Sequence, residues 1–121
     1  QILRQLPDHE LTVTFVPLSR DRLLKRGFNQ AELWARGVVG DELPVATLVK
    51  KIRPTVAQAT LNKKDRAKNL RGAFALTSKN VPERVIIFDD VVTTGTTLST
   101  IAKLLKKKGC QEVWAVTIAH D

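Results

Sequence analysis

Short apolar runs alternate along the chain with stretches whose apolar residues recur every three or four positions. That alternation predicts a parallel sheet joined by crossover helices. Val85-Ile86-Ile87-Phe88 is continuously apolar, as a strand buried on both faces should be. Leu98, Ile101, Ala102 and Leu105 then follow at helical spacing, with Lys103, Lys106 and Lys107 on the opposite face and Gly109 placed to end the helix. Val113–Ala119 reads as the closing strand and Val13–Leu18 as an early one that stops in a basic loop. Asn29 suits a helix N-cap, with Glu32 three residues on and Phe28 and Leu33 at staple positions, so a helix is expected to about Val39. Thr47–Ile52 and Ala73–Leu76 are further candidate strands. No internal repeat or low-complexity linker interrupts the pattern.

Composition narrows the class. A chain of 121 residues, 43% of them hydrophobic, suits one domain with a proper core, which excludes whole-chain disorder, collagen-like repeats and coiled coil. The single cysteine, Cys110, can form neither an internal disulfide nor a cysteine-based zinc site, so a reducing cytosol is the natural home. No apolar run approaches the roughly 18 residues a membrane span needs, and no signal peptide is visible, so no membrane insertion is expected. The chain opens on Gln1, and Ile2-Leu3-Arg4-Gln5-Leu6 looks like the tail of a helix; an N-terminal truncation is expected.

Charge adds a ligand class. Twenty Lys and Arg against 12 Asp and Glu give a net charge of +8. Residues 50–72 alone hold eight bases and one acid, residues 19–36 and 103–112 carry a net +3 each, and the remainder is acidic. Local excess of this kind invites an anionic partner: nucleic acid, a membrane surface or a phosphorylated small molecule.

Between the buried strand and the last helix lies Asp89-Asp90-Val91-Val92-Thr93-Thr94-Gly95-Thr96-Thr97. Ligands of parallel α/β sheets bind beyond the carboxyl ends of the strands. A loop opening a helix there offers free N–H groups and the positive dipole end to a phosphate, threonine hydroxyls add donors, and glycine permits close approach. No lysine follows Gly95, so this is not a nucleoside-triphosphate P-loop. Two adjacent carboxylates would repel a phosphate and instead suit vicinal hydroxyls or a metal's water shell. The loop as a whole asks for a ribose with a phosphate on its primary carbon; the bland alternative is a polar turn with a threonine cap and solubilising acids.

Val85–Thr97 resembles the thirteen-residue phosphoribosyl-pyrophosphate (PRPP) signature of type I phosphoribosyltransferases. By that resemblance Asp89 and Asp90 hold the ribose hydroxyls, and Thr93, Thr94, Gly95, Thr96 and Thr97 cradle the 5′-phosphate. Val16-Pro17-Leu18, Arg26-Gly27-Phe28-Asn29-Gln30-Ala31, Arg53-Pro54-Thr55, Gln58, Leu61, Arg66, Asn69 and Gly72-Ala73-Phe74 look like the ComF/GntX branch of the family. Phe15 stands where that branch often has proline, and its preceding cysteine-rich zinc module is absent from this sequence.

The resemblance implies the Rossmann-like α/β fold of the type I enzymes, here without an obvious hood. It implies a pyrophosphate loop at Leu18, Ser19, Arg20, Asp21 and Arg22, where a strained or cis peptide would be unsurprising. Residues 53–72 match the flexible loop that closes over the site, and Arg53, Lys63, Lys64 and Arg66 are the catalytic candidates for reaching the pyrophosphate. Mg²⁺ would enter through the ligand and bound water near Asp89 and Asp90, without a direct protein ligand.

Plainer readings stand beside several of these. Asn62 with Asp65 can cap a short helix whose solvated face is Lys63, Lys64 and Lys68, and Asn29 and Gln30 can serve only to start theirs. His9 and His120 have no partners at metal-ligand spacing; Cys110 suits a buried small hydrophobe, and Trp34 and Trp114 suit the core. Two functions follow. One is a Mg²⁺-dependent transferase moving phosphoribosyl from PRPP to an unidentified acceptor with release of pyrophosphate. The other is a non-catalytic module, responsive to PRPP or a nucleoside monophosphate, that binds single-stranded DNA or competence-machinery proteins; a homodimer is compatible with either. The ComF branch is associated with DNA uptake in competence.

Overall fold

The computed structural model describes residues 11–53, 62–92 and 95–120. Three strands, β1 (Leu11–Phe15), β4 (Arg84–Val92) and β5 (Glu112–His120), form a parallel sheet in the order β1-β4-β5. Its registers run from Leu11↔Arg84 to Phe15↔Phe88 and from Arg84↔Glu112 to Val92↔His120. β4 is the central strand, and its apolar run is covered from both sides as its sequence predicts. Val85 and Ile87 join Leu98, Ile101 and Leu105 of α4 (Thr96–Lys107) in one core. Ile86 and Phe88 face the other, with Leu11, Val13, Phe15 and the Ala31 and Ala35 side of α2 (Gln30–Val39).

The remaining strands depart from the expected parallel sheet. β2 (Val49–Lys51) and β3 (Phe74–Leu76) pair antiparallel as a separate ribbon. Thr14 supplies the physical reason. Val45 bridges to Val13 in the parallel sense, but the buried Thr14 hydroxyl then donates to Ala46 O at 2.8 Å and accepts from Leu48 N at 3.3 Å. A side chain thus stands in for the next ladder partner, and the chain leaves β1 before β2 begins.

α2 starts and stops where the pattern places it, capped by Asn29, whose Oδ1 accepts from the Ala31 and Glu32 amides. Phe28 and Leu33 stay 44% and 54% exposed, so neither is a buried staple. α1 (Arg20–Arg26) was expected as loop; it is a seven-residue helix capped by Ser19 and Gly27, with no buried residue and hence no apolar period to betray it. α3 (Lys63–Leu70) is capped by Asn62, which accepts from the Asp65 amide at 2.9 Å. α4 ends at Lys108, with Gly109 taking φ 111° just beyond and Cys110 N–H returning to Leu105 O.

Trp34 belongs to the core, meeting Phe88 edge-on at 4.9 Å. Trp114 does not: it is 45% exposed on β5, while α2 packs chiefly over β1 and β4 among the described residues. Cys110 is buried, its thiol against the Glu83 and Glu112 carbonyls. No helix among the described residues is long and apolar enough to cross a membrane.

Candidate functional site

The acids sit in a strand, not a loop. β4 continues past Phe88 through Asp89 and Asp90 to Val92 because β5 keeps pairing with it, Asp89 opposite Thr117. The Asp90 amide donates to Asp89 Oδ1 at 2.9 Å, and both side chains are half-buried. Burial, then the charge of Asp90 and a hydrogen bond with its side chain, push the Asp89 carboxyl up to about 7, against the smaller opposing pull of the Asp90 amide. Such a group stores unmet negative charge that donors or a cation relieve.

Gly95 follows at φ 77°, in the left-handed region that favours glycine, and serves as the N-cap of α4 without a side-chain cap bond. Gly95 itself brings no side chain to the first amides of α4. Thr96 and Thr97 open the helix, and the Thr100 hydroxyl is turned back to Thr96 O. Thr93 and Thr94 lie outside the described residues.

A cavity of about 200 Å³ joins these parts, lined by Val16, Pro17, Leu18, Arg22, Lys51, Leu70, Phe74, Asp89, Asp90 and Thr97. It brings five predicted residues together: Leu18, Arg22, Asp89, Asp90 and Thr97. Ser19, Arg20 and Asp21 line an adjoining cavity of about 180 Å³ with Lys51, Ile52 and Arg53. The segment 18–22 is thus part loop and part helix, since Arg20–Arg22 form the first turn of α1. No cis peptide and no positive φ outside glycine occurs among the described residues, so the expected strain is not found there.

Lys51 belongs to both cavities and escaped the sequence reading, which treated it as one base among eight. Burial, then Arg22 and Arg53 nearby, hold its ammonium below the usual lysine range. Strand alternation could have found it: Lys51 lies two residues from the buried Val49 and so shares its face, while Lys50 points to solvent.

Arg53 lines the adjoining cavity and is also held by main-chain carbonyls. Its Nη2 donates to Asn69 O at 2.6 Å, to Lys68 O at 3.4 Å and to Arg71 O, so it braces the carbonyl end of α3 and ties the two ends of segment 53–71 together. Arg53→Ala should lower stability by about 1 kcal/mol and speed amide hydrogen exchange in α3 above all. Equal exchange in both proteins would refute the brace. Lys64 is exposed and lines neither cavity; Lys63 and Arg66 lie on α3, their side chains outside the described ones. Asn69 contributes its carbonyl to Arg53.

The second basic motif builds the wall. Gly27 closes α1 at φ 80°, Arg26 and Gln30 are exposed, and Asn29 reaches back, its Nδ2 donating to Val16 O at 3.0 Å. Asn29 thereby caps α2 and fixes the backbone at the cavity's edge. For a divalent cation the described residues offer no group of three or more metal-ligating side chains. The Asp89–Asp90 pair nonetheless fits Mg²⁺ held with its waters through a bound ligand.

The chain is similar to several known proteins. The family profile described as "Phosphoribosyl transferase domain" matches residues 23–121. Competence protein F of Haemophilus influenzae is 43% identical over 111 residues, covering 86% of this chain and 48% of that protein. DNA utilization protein YhgH of Escherichia coli K12 is 36% identical over 121 residues (93% and 50%), and Competence protein ComFC of Streptococcus pneumoniae is 30% identical over 111 (92% and 48%). A purine phosphoribosyltransferase structure from Pyrococcus horikoshii aligns with TM-score 0.47 at 17% identity, covering 92% of this chain and 60% of that one. The chain spans about half the length of the curated relatives it matches. It belongs to the phosphoribosyltransferase family, as a ComF-type protein with the α/β fold of the type I enzymes.

Proposed function

We propose that this domain binds PRPP with Mg²⁺ in the cavity between β4, α4 and the segment after β1, and transfers phosphoribosyl to an acceptor with release of pyrophosphate. The observation that carries this reading is the lining of one cavity, where the Asp89–Asp90 pair and Thr97 come together with Arg22 and Lys51. The carboxylates accept hydrogen bonds from the ribose 2- and 3-hydroxyls, and Gly95–Thr97 receives the 5′-phosphate at the start of α4. Arg22 and Lys51 face the pyrophosphate, whose departure leaves oxocarbenium-like charge on the anomeric carbon. Mg²⁺ supplies further neutralisation of the leaving group when bound.

Lys51→Gln should weaken PRPP binding roughly tenfold, the worth of one charge-assisted contact. Ribose 5-phosphate, which lacks the pyrophosphate, should bind both proteins alike in calorimetric titrations. A loss equal for both ligands would remove Lys51 from the pyrophosphate arm. Release of pyrophosphate from PRPP on adding purines, amines or ammonia tests the transfer itself; none with any acceptor would leave a binding domain.

A second reading has its own support. Lys103, Lys106, Lys107 and Lys108 are exposed on and after α4, outside the PRPP cavity, and relatives carry the names Competence protein and DNA utilization protein. In that reading PRPP occupancy tunes contact with single-stranded DNA. Affinity for an oligonucleotide that falls steeply with salt would support it, and absent or salt-independent binding would remove it.

A further inference from the structure

β3 leaves a sheet edge open beside a groove. The β2–β3 ladder is flanked by Thr77 N–H to Leu48 O at 2.9 Å and Ile52 N–H to Ala73 O at 2.7 Å. Antiparallel bonding alternates, so Ala73, Ala75 and Thr77 turn their main-chain groups toward β2, and Phe74 and Leu76 turn theirs away. Among the described residues no hydrogen bond from outside the ladder reaches the Phe74 or Leu76 backbone.

The groove next to this edge measures about 600 Å³ and is lined by the unbroken run Phe74–Lys79 with Leu104 and Lys108 of the α4 end. Side chains along a strand alternate between faces. The three strand residues Phe74, Ala75 and Leu76 can all line one cavity only where it runs along the strand's edge, and Thr77–Lys79 continue that lining beyond the strand. The floor is apolar through Phe74, Leu76 and Leu104; the rim is cationic through Lys79 and Lys108. Lys103 and Lys107, each immediately before a lining residue of the helix region, are exposed, and no acid lines the groove.

We propose that this groove takes an extended segment of a partner protein, added as a strand to the free edge of β3, with alternating apolar residues and acidic residues flanking them. The N–H and C=O groups of Phe74 and Leu76 supply the backbone ladder, Leu76 and Leu104 the apolar contact, and Lys79 and Lys108 the charge selection. A second copy of this chain fits poorly, because its own β3 edge is followed by Lys79 and offers none of the acidic flanks that this rim selects.

The test is a random octapeptide display library panned against the full chain, followed by titration of the enriched peptides. Enriched sequences should alternate apolar and polar positions with Asp or Glu at the ends. Leu76→Pro removes an outward N–H together with the Leu76 side chain, and should weaken them by about tenfold or more. Lys79→Glu with Lys108→Glu, both at the exposed rim, should reverse the preference to Lys and Arg, which keeps the question decidable if the proline variant does not fold. The proposal is overturned if no peptide is enriched, or if enriched peptides bind the charge-reversed chain as tightly as wild type. It also fails if wild type sediments as a dimer that Leu76→Pro dissociates.

Discussion

Asp89→Asn combined with Asp90→Asn should cost roughly a hundredfold in PRPP affinity, since two charged acceptors of the ribose hydroxyls are replaced by weaker ones. The same change should make the ligand-free domain more stable at pH 8. Folding raises the Asp89 pKa from 3.8 to about 7, so the native state holds that proton more tightly than the unfolded chain. The associated stability is present below pH 4 and is lost as pH rises through 7. Asparagine keeps the shape without the charge. The gain at pH 8 is about 2 kcal/mol, allowing for water reaching the exposed part of the side chain, and several degrees in melting temperature. Near pH 4 the gain should vanish. Melting curves at the two pH values, with PRPP titrations at pH 8, check both halves; a variant less stable at pH 8 would show that the pair is not held under repulsion.

Asn29→Ala carries the second large effect. One buried side chain accepts from Ala31 and Glu32 and donates to Val16 O, so its loss removes a helix cap and leaves a carbonyl at the cavity edge unpaired. The expected cost is about 2–3 kcal/mol in urea denaturation. Asn29→Asp separates the two jobs: the carboxylate still accepts from the helix amides but cannot donate to Val16 O. It should fall between wild type and alanine in stability, while its PRPP affinity drops with the loosened Val16–Leu18 wall. Alanine within 0.5 kcal/mol of wild type, about the usual size of a surface substitution effect, would contradict the tie.

Elements buried on a periodic face were legible in the sequence. β4 announced itself as a continuous apolar run, α4 by its spacing, and α2 by its cap. α1 was not legible, because nothing in it is buried. Both strands of the ribbon were legible, at 47–52 and 73–76, but their antiparallel pairing was not, because it depends on the Thr14 hydroxyl meeting Ala46 and Leu48, 32 and 34 residues away. Trp114 failed for the opposite reason: an apolar residue in an apolar strand still needs something over it.

The site divides in the same way. Asp89, Asp90 and Thr97 lie close in sequence and share one strand–helix junction, so a local motif suffices to find them. The hold on Arg53 and the place of Lys51 were not legible, because their neighbours are distant in sequence. Three carbonyls at the end of α3 hold Arg53, while the half-buried position of Lys51 follows from its place two residues after Val49. Charge counts cannot distinguish the two; packing does.

The central claim is that the cavity between β4 and α4 is a PRPP site, and thermal unfolding of the wild-type chain with PRPP and Mg²⁺ tests it most directly. A ligand that binds only the folded state must raise stability, by about 2.7 kcal/mol at a hundred times its Kd. The account predicts a melting temperature that climbs with PRPP concentration in wild type and stays flat in the Asp89→Asn, Asp90→Asn chain. A wild-type melting temperature unmoved by millimolar PRPP with Mg²⁺ would contradict it.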